Sequence, residues 1–168
     1  MSIRLVYVIL GLVVLIGCDQ PNTKDMNLTS PHWQPNQTIP AQFTCEGEDI
    51  SPALIWSDIP NDTKSFVLIV RDPDAPSQEW IHWLVKDIPT AVTSVEDNSV
   101  PAGGVEVMND FGRTGWGGPC PPNGEHRYYF ELYALDVPTI TGNSLTEVET
   151  AMDGHILAKG ELLGLFKR

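Results

Sequence analysis

The chain has 168 residues, 42% of them apolar, and ten Lys and Arg against 22 Asp and Glu for a formal charge of -12. That length suits one domain with a sizeable core and leaves little room for two. The acidic balance repels phosphate backbones and anionic surfaces at long range, so a nucleic-acid partner is not expected.

Residues 1–17 read as an export signal: Arg4 gives a positive start, 5–16 are apolar but too few to span a bilayer, and Leu15-Ile16-Gly17-Cys18 forms a small-residue junction. The ending resembles the lipobox of bacterial lipoproteins, which predicts cleavage before Cys18 and its acylation, in preference to an ordinary secretory signal. The expected location is a bacterial cell envelope, lipid-anchored and periplasm-facing, and Asp19 resembles an inner-membrane retention signal. With Cys18 lipidated, Cys45 and Cys120 remain as an even pair in a disulfide-permissive compartment. A bridge and two buried thiols fit the sequence equally. Residues 18–35 are polar and predict a tether, with the folded domain over 36–168.

Within that domain the pattern is β. Strands are predicted at 39–44, 53–56, 65–70, 80–88, 105–109, 127–135 and 161–166, with loops at 94–104 and, rich in glycine and proline, at 111–124. In 80–88, Trp83 and Val85 are expected on one face and His82, Leu84 and Lys86 on the other. Ser144-Leu145-Thr146-Glu147 is a capping box; Leu145, Val148 and Met152 mark one helical face, Gly154 closes the helix, and 155–158 add a further turn. The sum is mostly β with one or two short helices near the C-terminus.

The apolar run at 66–70 ends abruptly in Asp72-Pro73-Asp74-Ala75-Pro76, where two prolines hold the two carboxylates in a stiff turn. Ala75-Pro76 is a candidate cis bond. Other polar groups also sit at strand ends or in rigid loops: Trp80 and His82, Gly118 and Pro119, His126 and Tyr128. If those ends converge they form a pocket. Two His and two Asp also suit zinc in ligand type, but their spacing offers no compact ligand pair and no metal or other cofactor is expected. No Gly-x-Ser-x-Gly elbow or dinucleotide fingerprint is present.

The ordered motifs Phe43-Thr44-Cys45-Glu46-Gly47-Glu48-Asp49-Ile50-Ser51-Pro52, Asp72-Pro73-Asp74-Ala75-Pro76, Trp80-Ile81-His82-Trp83, Asn109-Asp110-Phe111-Gly112, Gly117-Gly118-Pro119-Cys120-Pro121-Pro122 and His126-Arg127-Tyr128 resemble the phosphatidylethanolamine-binding protein family, in its bacterial Raf-kinase-inhibitor-like (YbhB/YbcL) branch. The resemblance covers 39–168. It implies a β-sandwich with a small cavity for anionic or phosphate-bearing groups, lined by Asp72, Asp74, Trp80, His82, Gly118, Pro119, His126 and Tyr128. The chemistry of the residues agrees in part: His82, His126 and the amides of the glycine loop can donate to a phosphoryl oxygen, while Asp72 and Asp74, unable to bind an anion themselves, would orient the histidines. The function expected is a membrane-tethered, non-catalytic binding protein that inhibits or regulates a partner such as a protease or kinase, with a homodimer as a further expectation. The alternative is an envelope hydrolase using a metal or an Asp/His pair.

Overall fold

In this computed structural model, which describes residues 24–168, the apolar run lies at the centre of a nine-stranded sheet. It forms β4 (Ser65–Asp72), buried throughout except at the half-buried Arg71. β4 is flanked by β5 (Trp80–Pro89) and β8 (Glu125–Leu135), both antiparallel to it. Alternate side chains of a strand point to opposite faces, so a strand apolar at every position must be covered on both. Phe66, Leu68 and Val70 pack on one face with Trp83, Tyr128 and Phe130. Val67 and Ile69 pack on the other with Leu84 and with Val148 and Met152 of α1 (Leu145–Met152).

Beyond β8 the sheet continues through β9 (Ile156–Lys167), then β1 (Lys24–Thr29), β3 (Leu54–Ser57) and β6 (Ser94–Val95), while β7 (Val105–Glu106) edges β5. β1 runs parallel to β9, as does the two-residue β2 (Gln37–Thr38). The sheet curls, so Met26 and Leu28 of β1, Trp56 of β3 and Phe166 of β9 join the same inner cluster as Phe66 and Trp83. The architecture is the mostly β, sandwich-like one expected, built as one continuous sheet.

Several boundaries move. The signal at 1–17 and Cys18 lie outside the described residues, but the predicted tether is too long: 24–29 are a strand, and Met26, Leu28 and Trp33 are buried in the core. Its polar residues alternate with Met26 and Leu28, the period-two signature of a strand with one buried face. The strand expected at 39–44 is instead the two-residue pairing of β2 and a 3-10 turn at Ala41–Phe43, which buries Phe43. At the other end, 155–158 add no helical turn. Gly154, at a φ of 76°, ends α1, and β9 begins at Ile156. Ser144 accepts from the Glu147 N–H as predicted, whereas the Glu147 carboxylate reaches the N–H of Asn143.

The core position of β1 gives a direct test. Leu28→Ala removes a buried side chain and is expected to destabilise the fold by about 2–5 kcal/mol in denaturant unfolding. A residue of a solvated tether would change stability by less than about 0.5 kcal/mol.

Candidate functional site

Three strand ends, the turn after β4 and one loop enclose a cavity of about 220 Å³. Asp72 closes β4 there, 4% exposed. Its Oδ2 accepts from His126 Nδ1 at the start of β8 (2.7 Å), and its Oδ1 accepts from the Asp74 N–H (2.8 Å). This second bond makes an Asx turn that reverses the chain after β4. With the turn shaped in this way, the Ala75–Pro76 bond is trans; among the described residues no peptide is cis.

His82 reaches the cavity through an irregularity in β5. Between the pairs Val70↔Trp83 and Arg71↔Ile81 the strand carries one extra residue, His82, and the pairing shifts. Such a bulge re-aims a side chain. His82 therefore joins the Trp83 side, with its ring 5.2 Å from that of Tyr128, rather than the Leu84 and Lys86 side predicted from strict alternation. Its Nδ1 donates to the carbonyl of Gly117. A carbonyl only accepts, so this bond places the proton on Nδ1 and leaves Nε2 as the lone-pair nitrogen of the neutral ring. Burial pushes the His82 imidazolium below its ordinary value, so the ring is neutral at neutral pH.

Tyr128 lies between the two histidines. Its side chain is fully buried, and burial together with the Asp72 carboxylate beside its hydroxyl pushes its ionisation far up. Trp80, Phe111, Pro121 and Pro122 complete much of the wall, with Ala75, Pro76 and Cys120. Trp80 meets Phe111 edge-on at 5.5 Å, and Phe111 in turn meets His82 at 5.4 Å.

The loop at 107–124 is fixed by side chains acting on backbone. Asn109 Nδ2 donates to the carbonyls of His82 (3.2 Å) and Gly115 (2.8 Å), and its Oδ1 accepts from the Phe111 N–H (3.0 Å). Asp110 Oδ2 accepts from the Ile81 N–H at 2.7 Å. On the opposite wall, Cys45 and Cys120 are joined in a disulfide with a Cα separation of 5.5 Å, which decides between the bridge and the two free thiols.

This arrangement brings together Asp72, Trp80, His82, His126 and Tyr128. It does not bring Asp74, Gly118 or Pro119 to the cavity wall. Asp74 turns outward, where Arg127 grips it with Nη2 (2.7 Å), Nε (2.9 Å) and its backbone N–H (3.0 Å). The Gly118 N–H is already donated to Asp49 Oδ1 at 2.7 Å, and a Cβ there would collide with that carboxylate and with the Phe43 carbonyl oxygen at 2.7 Å. Pro119 offers its carbonyl to the Cys45 N–H. Among the described residues, no three His, Cys, Asp or Glu side chains are grouped to hold a metal ion.

A profile of the phosphatidylethanolamine-binding protein family matches residues 29–167. The chain belongs to that family. It is 45% identical over 150 residues to a UPF0098 protein of Methanothermobacter thermautotrophicus, covering 85% of this chain and 99% of the relative. A UPF0098 protein of Aquifex aeolicus is also 45% identical, covering 85% and 89%. Among solved structures, a phosphatidylethanolamine-binding protein homologue of Chlamydia trachomatis superposes with a TM-score of 0.81 at 39% identity, covering 86% of this chain and 98% of that one. Escherichia coli YbcL superposes with a TM-score of 0.80 at 32% identity, covering 86% and 99%.

In this member of the family the two aspartates of Asp72-Pro73-Asp74 divide their work. Asp72 serves the cavity, and Asp74 clamps the turn from outside. Phe111 and the two prolines after Cys120, which the sequence reading left out of the site, carried a signal in that they stand inside quoted motifs. The hydrogen bonds from Arg127 hold the Asp74 carboxyl at about 2, below the ordinary carboxylate range. A group depressed in the folded state contributes stability above its unfolded pKa, near 4, that is lost as the pH falls toward 2. Asp74→Asn is therefore expected to lower stability at pH 6 and to converge with wild type near pH 2 in denaturant titrations. Because Arg127 is half exposed, the difference should shrink in 1 M NaCl.

Proposed function

We propose that this chain is a lipid-anchored, periplasm-facing binding protein whose cavity holds a small phosphate-bearing group without transforming it. The observation that carries the reading is the convergence of His82, His126 and Tyr128 on one small cavity. Each of these side chains carries a polar atom able to hydrogen-bond a phosphoryl group. The family profile supports a binding role in general terms.

The overall charge of -12 opposes an anion, so the attraction must be local. Two exposed arginines lie beside lining residues. Arg113 lies 5.9 Å over the Phe111 ring, and Arg168 Nη1 lies 3.5 Å from Cys120 Sγ. Their charges would favour an oxyanion nearby, that of Arg168 offset in part by Glu46 at 4.0 Å.

The oriented Asp72–His126 pair is also what a general base needs, and it is the observation that favours the hydrolase alternative. Against nucleophilic catalysis, the lining contains no serine, threonine or lysine, and its cysteine is bridged. Regulation of a partner protease or kinase belongs to the same proposal, with the cavity governing how the Phe111 and Pro121 walls are presented.

If Cys18 carries the lipid, residues 19–23 alone separate it from β1, a leash of about 20 Å when fully extended. The domain would ride close to the bilayer. Fractionation of cells expressing wild type and Cys18→Ala tests this: the protein should move from the membrane pellet to the soluble periplasmic fraction.

Calorimetric titration of the purified protein with inorganic phosphate and phosphorylethanolamine tests the site. Saturable binding is expected, weakened about 5- to 10-fold by Tyr128→Phe and more by His126→Ala, the loss of about one hydrogen bond in the first case. No binding by wild type, or unaltered binding by His126→Ala, would overturn the reading.

A further inference from the structure

The groups that converge on the cavity accept more hydrogen bonds than they donate. Both histidines spend their Nδ1 protons on the protein, His82 on the Gly117 carbonyl and His126 on Asp72. The Gly117 N–H is donated to the His82 carbonyl and the Gly118 N–H to Asp49, so neither is free for a ligand. Three of the four residues at 119–122 are prolines, which have no N–H, and only Cys120 can contribute one. Asp72 accepts only. What remains for a ligand is the Cys120 amide in the adjoining wall and a Tyr128 hydroxyl that Asp72 already neighbours, against the lone pairs of the imidazoles and Asp72 as acceptors.

A fully ionised phosphate monoester is poorly matched to that set, because its oxygens would face lone pairs and a carboxylate. A phosphoryl group that keeps one proton is matched: its P–OH can donate to an imidazole while its charged oxygens accept. Resting on the phosphate-group reading above, we propose that the cavity selects its oxyanion in the protonated, monoanionic form, with His82 Nε2 accepting the ligand's proton. His82 is the acceptor because its tautomer is fixed by a carbonyl, which cannot release the Nδ1 proton's place to a second donor.

The groups that could alter this balance can be named element by element. Asp72 on β4 faces the cavity; Asp74, in the turn after it, is engaged by Arg127 of β8. Asp110 in the 107–124 loop accepts from the Ile81 N–H, and Asp49 accepts from Gly118. Arg113 lies over the Phe111 ring and Arg168 beside Cys120, each next to a lining residue. The change that matters between pH 5 and pH 8 is therefore a proton carried by the ligand or one supplied by the protein.

Methyl phosphate and methyl sulfate separate the two. At pH 5.5 both are singly charged and of nearly the same shape, but only the phosphate carries a proton, since the second ionisation of an alkyl phosphate lies near pH 6. Calorimetric titration of the full wild-type protein with each is expected to show methyl phosphate binding at least about 10-fold more tightly, the worth of one hydrogen bond to a charged group. Above pH 6 the methyl phosphate affinity should fall about 10-fold per pH unit, with no parallel change for methyl sulfate. In His82→Gln, whose amide can donate where Nε2 accepted, the discrimination should collapse, with melting curves confirming that the variant is folded.

Equal binding of the two ligands, or methyl sulfate binding that strengthens in parallel on acidification, would show that the protein supplies the proton and would overturn the inference while leaving the phosphate reading intact. Failure of either ligand to bind at any pH would remove the phosphate reading itself. Retained discrimination in folded His82→Gln would overturn the assignment to His82.

Discussion

The hydrogen bond from His126 to Asp72 ties the end of β4 to the start of β8 at the mouth of an otherwise apolar core. Both partners are nearly buried, and removing one would leave the other without its partner in a poorly solvated site, the costly side of any buried polar pair. Around this bond the turn at 73–76, the ring of Tyr128 and the aromatic wall take their places. The strands themselves are held by burial on both faces of β4, so the polar contact sets geometry where the hydrophobic contacts set stability.

That division explains how the site can be specific inside a protein of strongly acidic charge. The net charge offers no long-range attraction for an anion, so under the proposed function any selection would fall to the few groups lining the cavity. The glycine-rich loop contributes shape rather than amide donors: Gly118 is glycine because Phe43 and Asp49 leave no room for a side chain, and its N–H is spent within the protein. Donors belong to the ligand as much as to the cavity.

Much of this was legible in the sequence, for identifiable reasons. β4 announces itself because a strand buried on both faces must be apolar at consecutive positions, and β8 because its alternation is aromatic and long. The helix is marked by its cap. β1 was hidden because its two buried residues, Met26 and Leu28, stand in a polar context beside an export signal. In the site, Asp72 and Asp74 look equivalent from their spacing; which one turns inward depends on the bond from the Asp74 N–H back to Asp72, and on Arg127 waiting across the turn. His82 needed the extra residue in β5, an insertion in pairing that one strand's residues cannot reveal.

Along β8, His126, Tyr128 and Phe130 face the interior while Arg127 clasps Asp74 on the outer surface and Glu131 accepts from Lys159 of β9. A slip of one residue against β4 or β9 would carry a guanidinium inward and expel an imidazole in the same movement. The ion pairs on the outside thus act as a lock on alignment, and the cavity inherits its accuracy from charges that never touch what it holds.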